Sequence, residues 1–289
     1  MAIPGLTIIG ESINDSVPST KRLFEAGDIP GLVELARTQD EKGAAYLDVN
    51  VGARSPEFMA ELVATIQRAS AKPLSIDTPD PALAEAGLRA YDPSRTGGRE
   101  PILNSISPLR LWMFDLHKIR PFRPILMSSE RLEGGDSAPN RTAEETHRTA
   151  RRLMAEAKAR IPGFRNDQAV IDPGIAPIGS DCEGHLRRVL ESLALIQADP
   201  DLAGVHMSVG LSNFTVMLPS KRADGSPVKG PLESAFLTLA MPRGLDTIIG
   251  STARKYELLP DGHPALACLT DILGLEGFDT LMRVKEFYA

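Results

Sequence analysis

Apolar residues follow two alternating periods along this chain. Short continuous apolar runs read as buried strands. Each is followed by a longer stretch with apolar positions three or four apart, which reads as a helix. The runs are Leu6–Gly10, Ala44–Val51, Pro73–Asp77, Pro101–Ser105, Pro124–Ser128, Gln168–Asp172, Gly204–Gly210 and Leu245–Gly250. The helical stretches are Pro30–Lys42, Pro56–Ser70, Pro81–Ala90, Leu109–His117, Thr142–Arg160, Cys182–Gln197, Leu232–Met241 and Ala265–Phe287. Thr142, with Glu145 three residues on, predicts a capping box at the start of the fifth helix. Apolar strands separated by helices predict a parallel sheet. Eight such pairs within 289 residues, with no break in composition, predict an α/β fold: a closed (β/α)8 TIM barrel formed by residues 1–289 as a single domain. Two segments are left as long loops, Glu130–Arg141 and Leu218–Pro231. Both are rich in Gly, Pro and charge, a composition suited to lids or partner-facing surfaces.

Polar residues break this pattern at one end of the strands. The first strand runs into Glu11 and Asn14. The second carries Asp48 and Asn50 on one face, alternating with Leu47, Val49 and Val51. The third ends at Asp77, the fourth at Asn104, the sixth at Asp172, and the seventh runs into Gly210, Ser212 and Asn213. A lone Asp or Asn after a strand is often only a helix cap or a turn residue. Three aspartates and four asparagines at corresponding ends of six strands exceed what caps supply. In a barrel, the carboxyl ends of the strands carry the active site. Asp48 and Asn50 share the inward face, where a polar side chain needs a partner. Carboxylates accept paired hydrogen bonds from a planar N–H array, and amides both donate and accept. The set therefore suits a flat heterocycle with an aminopyrimidinone edge. A phosphate would be repelled.

Composition narrows the function classes. The hydrophobic fraction is 42% and the charged fraction 24%, with a net charge of −6, so nothing indicates a nucleic-acid partner. The two cysteines, Cys182 and Cys268, form no CxxC or His/Cys cluster, so no metal site is expected. Their scarcity fits a reducing cytoplasm. The N-terminal MAIPGLTIIGES lacks a basic leader and reads as a first strand, and no apolar run is long enough to span a membrane. His147, His185, His206 and His263 fall on helices, a strand interior or a loop, and suggest packing rather than catalysis.

The segments GESIN (Gly10–Asn14), LDVNVG (Leu47–Gly52), SIDT (Ser75–Thr78), LNSIS (Leu103–Ser107), IDPGI (Ile171–Ile175), GLSN (Gly210–Asn213) and GLDTII (Gly244–Ile249) occur in order. Together they resemble the pterin-binding barrels: dihydropteroate synthase, the folate domain of cobalamin-dependent methionine synthase, and methyltetrahydrofolate:corrinoid protein methyltransferase. The likeness covers nearly the whole chain and is stronger with the methyltransferase branch. GLSN is similar to that branch's motif on the seventh strand. The Ser-Arg-Lys and terminal Arg-x-His of dihydropteroate synthase, whose cations serve diphosphate displacement, are absent from the corresponding places.

The resemblance implies a cytoplasmic methyltransferase, with tetrahydrofolate as methyl donor or acceptor and a corrinoid carried by a partner protein. Asp77, Asn104 and Asp172 would hold the pterin ring, with Asp48, Asn50, Glu11, Asn14, Gly210 and Ser212 around it. Asn213 would sit near N5, the nitrogen bearing the methyl. It further implies a homodimer and no metal bound by this chain. Two alternatives are a dihydropteroate synthase-like transferase and a non-catalytic folate-binding protein. Two departures stand out: Ser12 occupies a position that is usually Arg, and the loop after the seventh strand carries Lys221, Arg222 and Lys229, which suggests contact with a glutamate tail or an acidic partner. Asp115-Leu116-His117 begins a cobalamin-ligand pattern but ends in Arg120, and is read as chance.

Overall fold

A computed structural model describes residues 3–289; the first two residues of the apolar N-terminal run lie outside the described residues. Eight parallel strands close into a barrel. In chain order they are β1 (Thr7–Asn14), β2 (Tyr46–Asn50), β3 (Leu74–Asp77), β4 (Ile102–Ile106), β5 (Arg123–Met127), β8 (Val170–Asp172), β9 (His206–Gly210) and β10 (Thr247–Gly250). Two short antiparallel strands outside the barrel, β6 (Glu130–Glu133) and β7 (Asp136–Pro139), make up the remainder. The helices are α1 (Pro18–Ala26), α2 (Ile29–Glu41), α3 (Pro56–Ala69), α4 (Pro81–Ala90), α5 (Ala143–Arg160), α6 (His185–Ala198), α7 (Leu211–Phe214), α8 (Lys229–Ala240), α9 (Pro264–Ile272) and α10 (Phe278–Tyr288). The fold class expected from the alternating periods is the one observed. Among the described residues no helix is long and apolar enough to cross a membrane.

The barrel interior is layered. Ile9, Ile102, Ile125 and Val170 form a small buried cluster, packed by Tyr46 and Ile249 and distinct from the larger core between sheet and helices. Side chains two residues apart on a strand share a face. Two residues beyond Ile9, Tyr46, Ile102, Ile125 and Val170 come Glu11, Asp48, Asn104, Met127 and Asp172. An apolar plug therefore fills the barrel, and a mostly polar layer lies directly above it at the carboxyl ends.

Local chemistry fixes the elements that carry this layer. Ser55 and Asp80 accept backbone N–H bonds and cap α3 and α4. The expected capping box forms: Thr142 accepts from the Glu145 N–H at 3.2 Å, and the Glu145 carboxylate accepts from the Thr142 N–H at 3.3 Å.

Five expectations change in detail. The first strand runs on to Asn14 because its pairing with β2 resumes at Ile13 and Asn14 after a register shift. Pro18–Ala26 is an additional helix, short, with only Thr20 and Phe24 buried and Leu23 packed beside the core. Leu111–Lys118 is a 3-10 segment in place of the α-helix expected over Leu109–His117. The loop at Glu130–Arg141 contains the β6–β7 hairpin, reversed at Gly134 and Gly135, whose φ angles of 62° and 100° suit glycine. The closing helix is split in two around Gly274 and Gly277.

Candidate functional site

A cavity of about 570 Å³ opens at the carboxyl ends of the strands. Of the residues singled out from sequence, Glu11, Asn14, Asp48, Asp77, Asn104, Asp172, Gly210, Ser212 and Asn213 all line it. Asn50 stands behind the wall: its Nδ2 donates to Asp77 Oδ2 at 2.9 Å, and its Oδ1 accepts from the Gly52 N–H at 2.9 Å. Asn14 stabilises the turn that follows β1, its Oδ1 accepting from the Ser16 backbone N–H at 2.9 Å.

The acids of the floor are held in different ways. Asp172 Oδ1 accepts from the Gly174 N–H at 2.7 Å, and Oδ2 from the Ser208 hydroxyl at 2.9 Å. Each oxygen keeps a second lone pair for a ligand. The bend at Gly174 has φ of 68°, and a Cβ there would lie 2.5 Å from Ser129 Cβ, so this turn needs glycine. Burial pushes the Asp172 carboxyl up to about 6, against the pull of those two donors. Asp48 is 1% exposed, and neither of its oxygens has a hydrogen-bond partner among the described residues. Burial, and then the neighbouring Asp77, hold its carboxyl well above the ordinary range. Asp77 is also raised by burial, opposed by the Asn50 hydrogen bond and the positive charge of Arg110. Glu11 is raised by burial as well, with the Ser212 hydroxyl donating to its Oε1.

Asn213 belongs to α7, a single helical turn that follows β9. Leu211 and Phe214 are buried, and the Phe214 ring centroid lies 5.3 Å from that of Phe236 on α8. The Asn213 side chain folds back over Gly210, where an added Cβ would sit 2.9 Å from Nδ2. Among the described residues, no hydrogen bond from the Asn213 amide to protein is found, and the residue is exposed to the cavity. The site thus offers a neutral amide beside a floor of buried acids.

Sequence reasoning missed part of the wall. Met127, Ile175, Val17, Pro18 and Val216 supply an apolar rim that surrounds the polar floor. They come from loops and strand ends, and of the five only Ile175, within IDPGI, falls in a motif. Arg110, whose Nη2 lies 3.4 Å from Ser105 Oγ, adds a cation beside Asp77. Of the bases in the 218–231 segment, Arg222 stacks on the Phe287 ring at 3.8 Å, against the C-terminal helix, while Lys229, at the start of α8, donates to the Val216 carbonyl on the rim at 3.4 Å. Among the described residues no cluster of His, Cys, Asp and Glu has metal-binding geometry.

Similarity to known proteins follows the same geometry. A curated relative, the methylcorrinoid:tetrahydrofolate methyltransferase of Eubacterium limosum, is 26% identical over 254 residues, with 84% of each chain covered. Dihydropteroate synthase from Xanthomonas albilineans, solved in complex with 7,8-dihydropteroate, superimposes with a TM-score of 0.52 at 16% identity over 95% of this chain and 94% of its own. The Yersinia pestis enzyme with a pterine–sulfa conjugate gives 0.57 at 13% identity over 93% and 92%. At that identity the structural likeness shows a shared fold. Residues 13–250 match the family of pterin binding enzymes, and the chain belongs to that family.

Proposed function

We propose that this chain is a methyltransferase that moves the N5-methyl group between methyltetrahydrofolate and the corrinoid of a separate protein. The observation that carries the reading is the free amide of Asn213, held at the cavity wall over buried acids. The named activity of the 26% identical relative supports it.

In this reading the pterin ring lies on the floor. Asp77, Asn104 and Asp172 pair with its N–H and carbonyl edge, and the unpartnered oxygens of Asp48 offer further acceptors below. The apolar rim residues Met127 and Ile175 cover the ring faces. N5 is a tertiary amine, and it leaves poorly unless a donor meets it as the C–N bond breaks. An Asn amide hydrogen bond that strengthens in the transition state lowers that barrier. The same donor serves the reverse direction, because both directions share one transition state. The corrinoid comes as the partner's cargo, and its cobalt supplies or accepts the methyl. The reading extends to one domain over the whole chain, a cytoplasmic location and a homodimer; sedimentation velocity checks the last of these.

The test is methyl exchange between methyltetrahydrofolate and free cob(I)alamin, followed by the cobalamin absorbance. Asn213→Ala should lower the rate by about 100-fold, typical for loss of one transition-state donor, with folate affinity changed only a few-fold. Folate binding without any methyl exchange would leave a folate-binding protein. Dihydropteroate formed from a pterin diphosphate and p-aminobenzoate would favour the synthase-like reading.

A further inference from the structure

Glu233 lies in the first half of α8 and is fully buried. A carboxylate in such a place loses its hydration and needs compensation. Its partners are specific. The Thr215 hydroxyl donates to Oε1 at 2.5 Å, and Arg254 Nε lies 3.0 Å from Oε2. Thr215 ends the α7 turn that carries Asn213. At the other end of that turn Ser212 is bound by Glu11 of β1. Two carboxylates, one from β1 and one from α8, therefore grip the residues on either side of Asn213. One turn beyond Glu233 on α8, Phe236 packs against Phe214 of the same turn.

We propose that Glu233 is a positioning residue: acting through the Thr215 hydroxyl, and balanced by Arg254, it sets where the Asn213 amide points into the cavity. This rests on the role given to Asn213 above. An ion pair buried in this way is a weak source of stability, since apolar residues of similar size commonly do as well. It is a strong source of direction, because a charged acceptor fixes a hydroxyl donor in one geometry. The groups facing Glu233 are Glu11 from β1, Arg254 and Tyr256 from the segment after β10, and Lys229 of α8 itself. Burial pushes the Glu233 carboxyl up to about 7, so the charge opposite Arg254 changes near neutral pH.

The experiment uses the full chain, with methyltetrahydrofolate and free cob(I)alamin. Thr215→Val should lower kcat by about tenfold or more, because sub-ångström misplacement of a reacting group is costly. The folate Kd should stay within about twofold, since the pterin floor is untouched. Thr215→Ser, which keeps the hydroxyl, should restore kcat. Glu233→Gln keeps an acceptor for Thr215 and removes the titration, so an inflection of kcat near pH 7 should be present in the wild type and absent in this variant. Wild-type kcat in Thr215→Val, or an equal loss in kcat and binding, overturns the proposal; so does an unchanged pH profile in Glu233→Gln. A second readout does not depend on turnover. In protein labelled with 15N-asparagine, the side-chain NH2 signal of Asn213, identified by its absence in Asn213→Ala, should shift in Thr215→Val and return in Thr215→Ser. If the wild type transfers no methyl, the role of Asn213 fails while this signal still decides whether Glu233 and Thr215 position it. An unmoved signal refutes the positioning.

Discussion

Gly210→Ala isolates the placement of one amide. At Gly210 φ is −75° and ψ 79°, so an alanine fits the backbone without the penalty of a left-handed residue. The methyl group would lie 2.9 Å from Asn213 Nδ2, the free end of a side chain, and 3.8 Å from its Cγ. Ordinary contact begins near 3.4 Å, so the amide must move by roughly 0.5 Å while the rest of the turn stays. Removing a glycine also reduces the freedom of the unfolded chain by about 0.4–1 kcal/mol, which offsets the cost of the shift. The melting temperature should therefore change by no more than a few degrees. Catalysis is more sensitive to the same movement. A displacement of about 1 Å in a reacting constellation costs on the order of 100-fold, so half of that predicts about a tenfold fall in kcat. Stopped-flow methyl transfer to cob(I)alamin and a thermal melt on one preparation measure both quantities. Full activity with unchanged stability would refute the role of the Gly210–Asn213 contact. A collapse of the fold would refute the claim that the displaced atom is free to move.

Three further outcomes follow from the same geometry. The folded state holds the Asp172 proton more tightly than the unfolded chain, at about 6 against an ordinary 3.8, so its stabilising contribution is complete below pH 4 and lost as pH rises through 6; a two-unit shift is worth about 3 kcal/mol, and urea unfolding from pH 4 to 6.5 should lose that slope in Asp172→Asn but not in the wild type. Burial and the neighbouring Asp77 hold the Asp48 carboxyl well above the ordinary range, which favours its neutral form, so the isosteric Asp48→Asn should cost less than about 1 kcal/mol, and a loss above about 3 kcal/mol in chemical denaturation at pH 7 would count against that. Arg54 pairs with Asp15 at 2.8 Å, donates to the Val51 carbonyl at 2.8 Å and covers the Phe24 ring at 4.3 Å; Arg54→Ala should destabilise by about 2 kcal/mol in the same assay, and a change below about 0.5 kcal/mol would count against that cluster.

What the sequence reveals follows from where each signal resides. The barrel is legible because its strands are buried on both faces and its helices are amphipathic, so the two periods alternate without interruption. Asp77, Asn104 and Asp172 stand out because an acid or amide closes an otherwise apolar strand. The β6–β7 hairpin is hidden because its strands are four residues long, polar and largely exposed, and only Gly134–Gly135 betrays the turn. The break before α10 is hidden because Leu273 and Leu275 continue the apolar spacing across it. Glu233 is the most instructive case. Within LESAFLTLA a single acid reads as one solvated position on a buried helix. Only the closed fold brings α8 under the turn that follows β9, and only there does the acid acquire Thr215 and Arg254 as neighbours.

The plug of Ile9, Ile102, Ile125 and Val170 has a kinetic consequence. It closes the cavity at its base, so the cavity opens only at the carboxyl ends of the strands, where Val17, Pro18 and Val216 are among its lining residues. A small molecule on the floor and a macromolecule at the rim must then use a single passage. Under the proposed activity this imposes a compulsory sequence: folate enters before the corrinoid protein docks, and departs after it. A steady-state pattern in which excess corrinoid protein slows folate release, yet excess folate never blocks docking, is the signature of that order.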